Sequence, residues 1–204
     1  MSDAADREVG VGPHPDPWPD DPRLDPDLLE HGDRRNVVDR YRYWSVQAIV
    51  DDLDRRRHAF HVAIENWTRD PNIGAVVRNA NAFNAAGVHI VGRHRWNRRG
   101  AMKTEVYMHV HEHPTLEQLA AWARAEQLEL VGVDNVEGAQ SLFDLALPRR
   151  CVLLFGQEGP GLSPEARRLC STLVAIPQYG STRSINAGAA SAVVLYAWCE
   201  RHAR

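Results

Sequence analysis

The sequence predicts an α/β protein in which a parallel sheet carries helices on both faces, behind an irregular, acidic N-terminal extension. Three observations lead there. From His58 onward, short apolar runs alternate with segments whose apolar residues recur at helical spacing. The loops between them are rich in glycine and in amide and hydroxyl side chains. The first 42 residues, by contrast, are rich in Pro and Asp and sustain no apolar period.

Taken in order, "VGPHPDPWPDDPRLDPDLLEHGD" reads as extended or partly disordered chain, and residues 1–42 form the extension. Val46, Ile49, Val50 and Leu53 then fall on one face of a leading helix over about 43–57, which opens a second domain spanning 43–204. Strands are expected at 58–64, 88–92, 128–133, 151–155 and 173–176, where the runs are short and apolar. Helices are expected near 73–86, 115–127, 164–170 and 185–200. Strands separated by helices favour parallel pairing, and ligands of such sheets sit at the carboxyl ends of the strands.

Composition narrows the function classes. The chain has 204 residues, 44% of them apolar, enough for a sizeable core. It has no run near the ~18 apolar residues of a membrane span, so no membrane partner is expected. Cys151, Cys170 and Cys199 are odd in number and widely spaced, which suggests neither a disulfide framework nor a zinc site and makes a reducing, cytoplasmic setting the expectation. Residues 1–33 hold ten acids against two bases, a balance of −8, whereas the remainder holds 22 bases against 17 acids, or +5. A mildly basic body is compatible with a polyanionic ligand.

Three loops stand out. In "PNIGAVVRNA", Asn72 is placed to cap a helix whose first turn Gly74 keeps bare. Arg78, one turn on, would lean back toward Asn72, and the helix start then becomes an anion site. A capped helix with a solvated arginine fits the same residues. In "FGQEGPGLSPEA", Gly156, Gly159 and Gly161 surround Glu158, and Ser163 and Pro164 read as the cap and first residue of the next helix. The glycine spacing matches neither a dinucleotide fingerprint nor a P-loop. In "IPQYGSTRSINAGAASAVVLYAW", Ser184 and Asn186 sit where a helix opens, and the small residues 187–192 allow close packing against it.

Two further segments are notable. His109, His111 and His113 would share a face of extended chain, but no matching fourth ligand accompanies them, so a polar or RNA-facing surface is expected and metal is not. Arg93, Arg95, Arg98, Arg99 and Lys103 surround Trp96, the mix of cations and stacking surface that single-stranded nucleic acid takes. A solvated basic loop is the alternative.

The three loops, in this order and each at a strand end, resemble the three motifs of the SpoU (TrmH-like) family of SPOUT-class RNA methyltransferases, over roughly residues 58–200. The resemblance implies an α/β-knot fold whose C-terminal segment threads a trefoil knot, S-adenosylmethionine as cofactor, a homodimer, and methylation of a ribose 2′-hydroxyl in tRNA or rRNA. By position it implies Arg78 as the catalytic arginine, supported by Asn72, Glu158, Ser184 and Asn186. The cofactor would lie against Val133, Gly156, Ile176, Ser184 and Ile185, with the basic segment 93–103 toward RNA. A non-catalytic RNA-binding module of the same fold is the alternative, and it would be marked by loss of the arginine or the glycines. Arg78, Gly156 and Gly161 are all present.

Departures from the family pattern are few. The third motif reads Ser-Ile-Asn where Ser-Leu-Asn is commoner, "DNVEG" (134–138) lacks the usual Thr-rich sequence, and the acidic stretch stands where many rRNA-specific members carry an RNA-binding domain. The family mechanism makes the arginine the base. A guanidinium stays protonated at neutral pH, so the expected role of Arg78 is at least to hold a phosphate and stabilise charge developing on the ribose oxygen.

Overall fold

The structure, a computed structural model, describes residues 10–68 and 72–203. Residues 1–9 of the extension and 69–71 of the first motif loop, Pro71 of "PNIGAVVRNA" among them, lie outside the described residues. The chain divides into two compact units, Met1–Arg55 and Arg56–Arg204.

The first unit contains more regular structure than its composition predicts. Helix α1 (Pro26–His31) starts on Asp25, whose side chain accepts from the Asp27 amide at 3.0 Å, and Pro26 supplies the preset first residue. Gly32 ends it at φ 89°, where a Cβ would lie 2.6 Å from the Val11 carbonyl oxygen. Bridges join Val11 to Asp33 and Leu24 to Trp44. The buried Asp33 carboxylate organises this end. It takes Arg35 Nε at 2.9 Å, Arg35 Nη2 at 2.7 Å and the Tyr43 amide at 3.1 Å. Burial pushes its pKa up, but these hydrogen bonds outweigh that and hold it below the usual carboxylate range. Caps and one buried ion pair build the unit, and neither registers as apolar period. Helix α2 (Val46–Asp54) opens on the Ser45 hydroxyl and buries Ile49 and Leu53. It groups with this first unit, so the division falls after the helix and not before it at residue 43.

In the second unit the chain runs β1 (Phe60–Glu65), α3 (Ile73–Ala82), β2 (Val88–Val91), β3 (Val110–His113), α4 (Leu116–Ala125), β4 (Glu129–Val133), β5 (Gln140–Ser141), β6 (Cys151–Phe155), α5 (Pro164–Leu169), β7 (Thr172–Ala175) and α6 (Ala187–His202). The strands form one sheet in the order β3-β2-β1-β6-β4-β7-β5, with every pairing parallel. The five expected strands are all present. Two edge strands are added: β3, whose His and Glu residues mask its character, and the two-residue β5.

Alternate strand residues serve opposite faces. Phe60, Val62, Ile64, Leu153 and Phe155 meet Ile73, Val76, Val77 and Ala80 of α3 and Val194, Leu195 and Trp198 of α6. Ala63, Val91, Leu130, Val152 and Leu154 meet Leu116, Leu119 and Ala123 of α4 and Ala166 of α5. Trp198 packs on Phe60 with ring centroids 4.4 Å apart and donates its indole N–H to the Pro148 carbonyl at 3.0 Å. Removing a ring so placed costs about 3–5 kcal/mol. No described helix is long and apolar enough to cross a membrane.

The histidine tract is only in part a polar surface: His109 and His111 are exposed, while His113 is partly buried. His111 and His113 turn toward His89 of β2 and Trp122 of α4, with His89 and His111 stacked at 4.9 Å and His89 only 4.1 Å from Trp122. Nδ1 of His61 hydrogen-bonds Nε2 of His89 at 3.0 Å, and Nδ1 of His89 hydrogen-bonds Nε2 of His113 at 2.8 Å. Burial first, then the neighbouring imidazoles, push the pKa of His89 down to about 2 and that of His61 down to about 4. The unfolded chain takes up protons at these rings near pH 6.5, and the folded chain does not until far lower. Stability is therefore full above about pH 6.5 and falls as pH drops below it. Melting at pH 5 should occur at a lower temperature than at pH 7.5, and His89→Phe should reduce the difference; equal melting temperatures at the two pH values would refute this account.

Candidate functional site

Four segments converge at the carboxyl ends of the central strands: the loop after β1, residues 134–136 after β4, residues 156–163 after β6, and residues 176–186 after β7. The last three enclose a pocket of about 400 Å³. Its floor and rim include Val133, Gly156, Ile176, Ser184 and Ile185, together with Glu158 and Asn186. All five positions that the family resemblance implies for the cofactor therefore border one cavity.

The 156–161 loop doubles back on itself. Gln157 and Gly161 exchange backbone hydrogen bonds at 3.1 and 3.0 Å. A Cβ on Gly156 would fall 2.0 Å from the Gly161 carbonyl carbon, so the return path needs glycine there. Gly161 itself has φ 69° and abuts the Asp134 carboxylate, which accepts from the Leu162 amide at 3.0 Å and from Arg167 Nη2 at 3.2 Å. Ser163 caps α5 through the Ala166 amide at 3.1 Å, as its position before Pro164 predicts.

Side chains tie this loop to the first one. The buried Glu65 at the end of β1 accepts from Trp67 Nε1 at 2.7 Å and from the Ser163 amide at 2.9 Å. Gln157 Oε1 accepts from the Trp67 amide at 3.1 Å and from the Thr68 hydroxyl at 2.8 Å.

Asn72 corrects the sequence expectation. It precedes α3, but its side chain caps nothing. Instead Asn72 Nδ2 donates to Glu158 Oε2 at 2.7 Å, and its Oδ1 accepts from Asn186 Nδ2 at 2.7 Å. Asn186 does cap α6: its Oδ1 accepts from the Gly188 and Ala189 amides at 2.9 and 3.2 Å. Every donor in this chain points the same way, from the amides of α6 through two carboxamides to the Glu158 carboxylate. Such an alignment polarises each bond in turn and brings the positive end of the helix to bear on the carboxylate.

The expected anion site at the start of α3 is also corrected. A Cβ on Gly74 would lie 2.7 Å from both the Gly100 Cα and the Ala101 nitrogen, so the glycine admits a neighbouring 3₁₀ turn (Arg98–Ala101), not a ligand. Arg78 is exposed on α3 and is not among the pocket-lining residues; among the described residues it makes no hydrogen bond or ion pair. Arg93, Arg95, Arg98, Arg99 and Lys103 are exposed, while Trp96 is partly buried against the core with the Arg98 guanidinium 5.6 Å from its ring centroid. Sequence reasoning gave no role to Asp134, Gln157 or Asn79, although Asn79 matches the first motif. The last donates to the Gly188 carbonyl at 2.7 Å and the Ser191 hydroxyl at 2.9 Å, clamping α3 to α6.

Open parallel sheets take ligands at their strand carboxyl ends, and this unit belongs to that ligand-binding α/β class. More narrowly, the chain belongs to the SpoU rRNA Methylase family, whose model matches residues 59–196. It is 30% identical over 187 residues to a 23S rRNA (uridine(2479)-2′-O)-methyltransferase of Streptomyces viridochromogenes, covering 84% of this chain and 64% of that protein. It is 27% identical over 151 residues to the tRNA (guanosine(18)-2′-O)-methyltransferase of Escherichia coli strain K12, covering 72% of this chain and 66% of the relative. The chain thus spans about two thirds of the length of each. Among solved structures it is similar to the SpoU methyltransferase AviRb from Streptomyces viridochromogenes in complex with the cofactor AdoMet, with TM-score 0.64, 29% identity and coverage of 74% of this chain and 60% of that one.

The double role of Asn186 gives a test. Asn186→Ala removes the cap and the hydrogen bond donated to the Asn72 oxygen, and should lower unfolding free energy by about 1–2 kcal/mol. Asn186→Ser keeps a capping oxygen and should cost less. Denaturant titration of both variants measures the difference, and equal losses would show that the cap is not what Asn186 contributes.

Proposed function

We propose that the chain is an S-adenosylmethionine-dependent methyltransferase that acts on a ribose 2′-hydroxyl of tRNA or rRNA, in the cytoplasm. One observation carries the reading. The residues assigned to the cofactor by motif border a single pocket, and the polar motif residues Asn72, Glu158 and Asn186 form one hydrogen-bonded chain at its side.

The donor set suits that cofactor. A cavity of about 400 Å³ is of the size that takes a nucleoside-containing ligand. Gly156 and Gly161 bring bare backbone to its wall, and Val133, Ile176 and Ile185 add apolar surface for an adenine ring. S-adenosylmethionine, when bound, supplies a methyl group already activated on sulfur. The protein's own work is then positional. The backbone of 156–161 and 184–185 holds the donor, the Asn72 bridge fixes the Glu158 carboxylate, and Ser184 offers a hydroxyl at the pocket rim. Arg78, on the exposed face of α3, takes a substrate phosphate and stabilises negative charge on the attacking oxygen. The exposed cations Arg93, Arg95, Arg98, Arg99 and Lys103 extend the phosphate track, and the edge of Trp96 adds stacking surface.

In the same reading the C-terminal segment is knotted. Support comes from the return of α6 to α3, where a Cβ on Gly188 would meet the Ala75 Cβ at 2.9 Å, after β6 has inserted between β1 and β4. A homodimer is part of the proposal as well, supported by Val193 and Tyr196, which leave apolar surface exposed on α6.

Calorimetry with S-adenosylmethionine after chelator treatment should show binding, and ribose methylation mapped by mass spectrometry in RNA incubated with the protein should appear at a defined nucleotide. No binding, or binding only with a divalent ion, would overturn the cofactor assignment. Arg78→Ala should leave cofactor affinity within a few-fold while lowering turnover by about 100-fold or more. Loss of cofactor binding in that variant would put the arginine on the wrong side of the pocket. For the assembly, sedimentation should give twice the chain mass at micromolar concentration, and a mass of one chain would refute the dimer.

A further inference from the structure

The third loop supplies Gln178, Arg183, Ser184 and Ile185 to the pocket wall, and it also carries a side chain that neither pocket nor core uses. Tyr179 is 86% exposed, well beyond the other large apolar residues among those described. Its ring stacks on no other ring and its hydroxyl meets no partner among the described residues. A singly exposed aromatic is unremarkable on most surfaces. Here its neighbour in sequence, Gln178, lines the cavity, and on its other side a Cβ added at Gly180 would meet nothing within 4 Å.

Arg183, four residues on, completes the pattern. Its backbone is tied down, since its carbonyl accepts from Asn135 Nδ2 at 2.9 Å. Its guanidinium is exposed and makes no ion pair among the described residues. The acids around the pocket are already engaged: Asp134 by Arg167 and two backbone amides, Glu158 by Asn72. Residues 176–186 include no acid of their own. One loop therefore carries an exposed aromatic ring next in sequence to a pocket-lining residue and, four residues on, an uncommitted cation in the pocket wall. A stacking ring and a guanidinium on one loop are the groups that unpaired nucleotides bind.

We propose that Tyr179 and Arg183 form an RNA subsite at the pocket mouth, the Tyr179 ring stacking an unpaired base beside the methylated nucleotide and Arg183 holding an adjoining phosphate. The subsite is separate from the basic segment 93–103 and rests on the reading of the chain as an RNA methyltransferase.

The test uses the full chain, a fluorescent mixed-sequence single-stranded RNA dodecamer, and S-adenosylmethionine calorimetry alongside. Tyr179→Ala should weaken RNA binding about tenfold, within the range for losing one base stack, with cofactor affinity kept. Tyr179→Phe should stay within about twofold of the unaltered protein, because the stack uses the ring and not the hydroxyl. Arg183→Ala should lower the slope of log affinity against log salt by about 0.7, the share of one phosphate contact on a single strand, while Tyr179→Ala leaves that slope unchanged. If Tyr179→Ala binds RNA as well as the unaltered protein does, the subsite is wrong and the enzyme reading stands. If Tyr179→Ala instead halves the sedimentation mass, the ring belongs to an interface between copies and the subsite is again wrong. If the unaltered protein binds neither RNA nor cofactor, the enzyme reading itself fails.

Discussion

The side-chain amide of Asn72 is the interaction on which the site depends. It accepts from Asn186 and donates to Glu158, and so joins three loops that lie far apart in the chain. A carboxamide suits the place because it offers a donor and an acceptor on one planar group. A carboxylate there would face Glu158 with like charge, and a hydroxyl would be too short to reach both partners. Around this bridge the other ties fall into line: Gln157 and Glu65 fasten the second loop to the end of β1, and Asn79 clamps α3 to α6. The pocket is held by side chains spanning between strand ends, with the parallel sheet as its rigid base.

Much of this was legible in the sequence, and unevenly so. The central strands announce themselves because both of their faces are buried, which makes "CVLLF" and "VHIV" apolar throughout. Edge strand β3 escaped because it is polar and at most partly buried, and its histidines find ring partners on β2 and α4 that are invisible in a local window. Glycine placement marked the 156–161 loop, and the rest of the pocket wall followed from the family resemblance. The destination of Asn72 was not: its position before α3 fits a cap, and only the tertiary fold brings Glu158 and Asn186 within reach. Gly74 was misread for a related reason, since a missing Cβ serves a neighbouring backbone as well as it serves a ligand.

The N-terminal unit shows the same limit from the other side. Low hydropathy and many prolines predicted irregular chain, yet caps, bridges and the Asp33–Arg35 pair give residues 10–55 a defined conformation. A buried ion pair supplies little net stability when set against a well-packed apolar alternative, but its geometry is demanding. Here one carboxylate collects Arg35 and the Tyr43 amide, so it fixes the path of the chain between α1 and α2.

The row of imidazoles under α4 has a consequence for hydrogen positions. A neutral ring bears one N–H, and His61, His89 and His113 are joined by two bonds that each run from an Nδ1 to the next Nε2. Either all three rings carry their hydrogen on Nδ1, or all three carry it on Nε2, because any mixed assignment sets two hydrogens or two lone pairs against each other. The three residues are thus a single tautomeric object with two forms of opposite direction across the sheet. Whatever polar group meets the outer nitrogen of His61 or of His113 selects the form for the whole row.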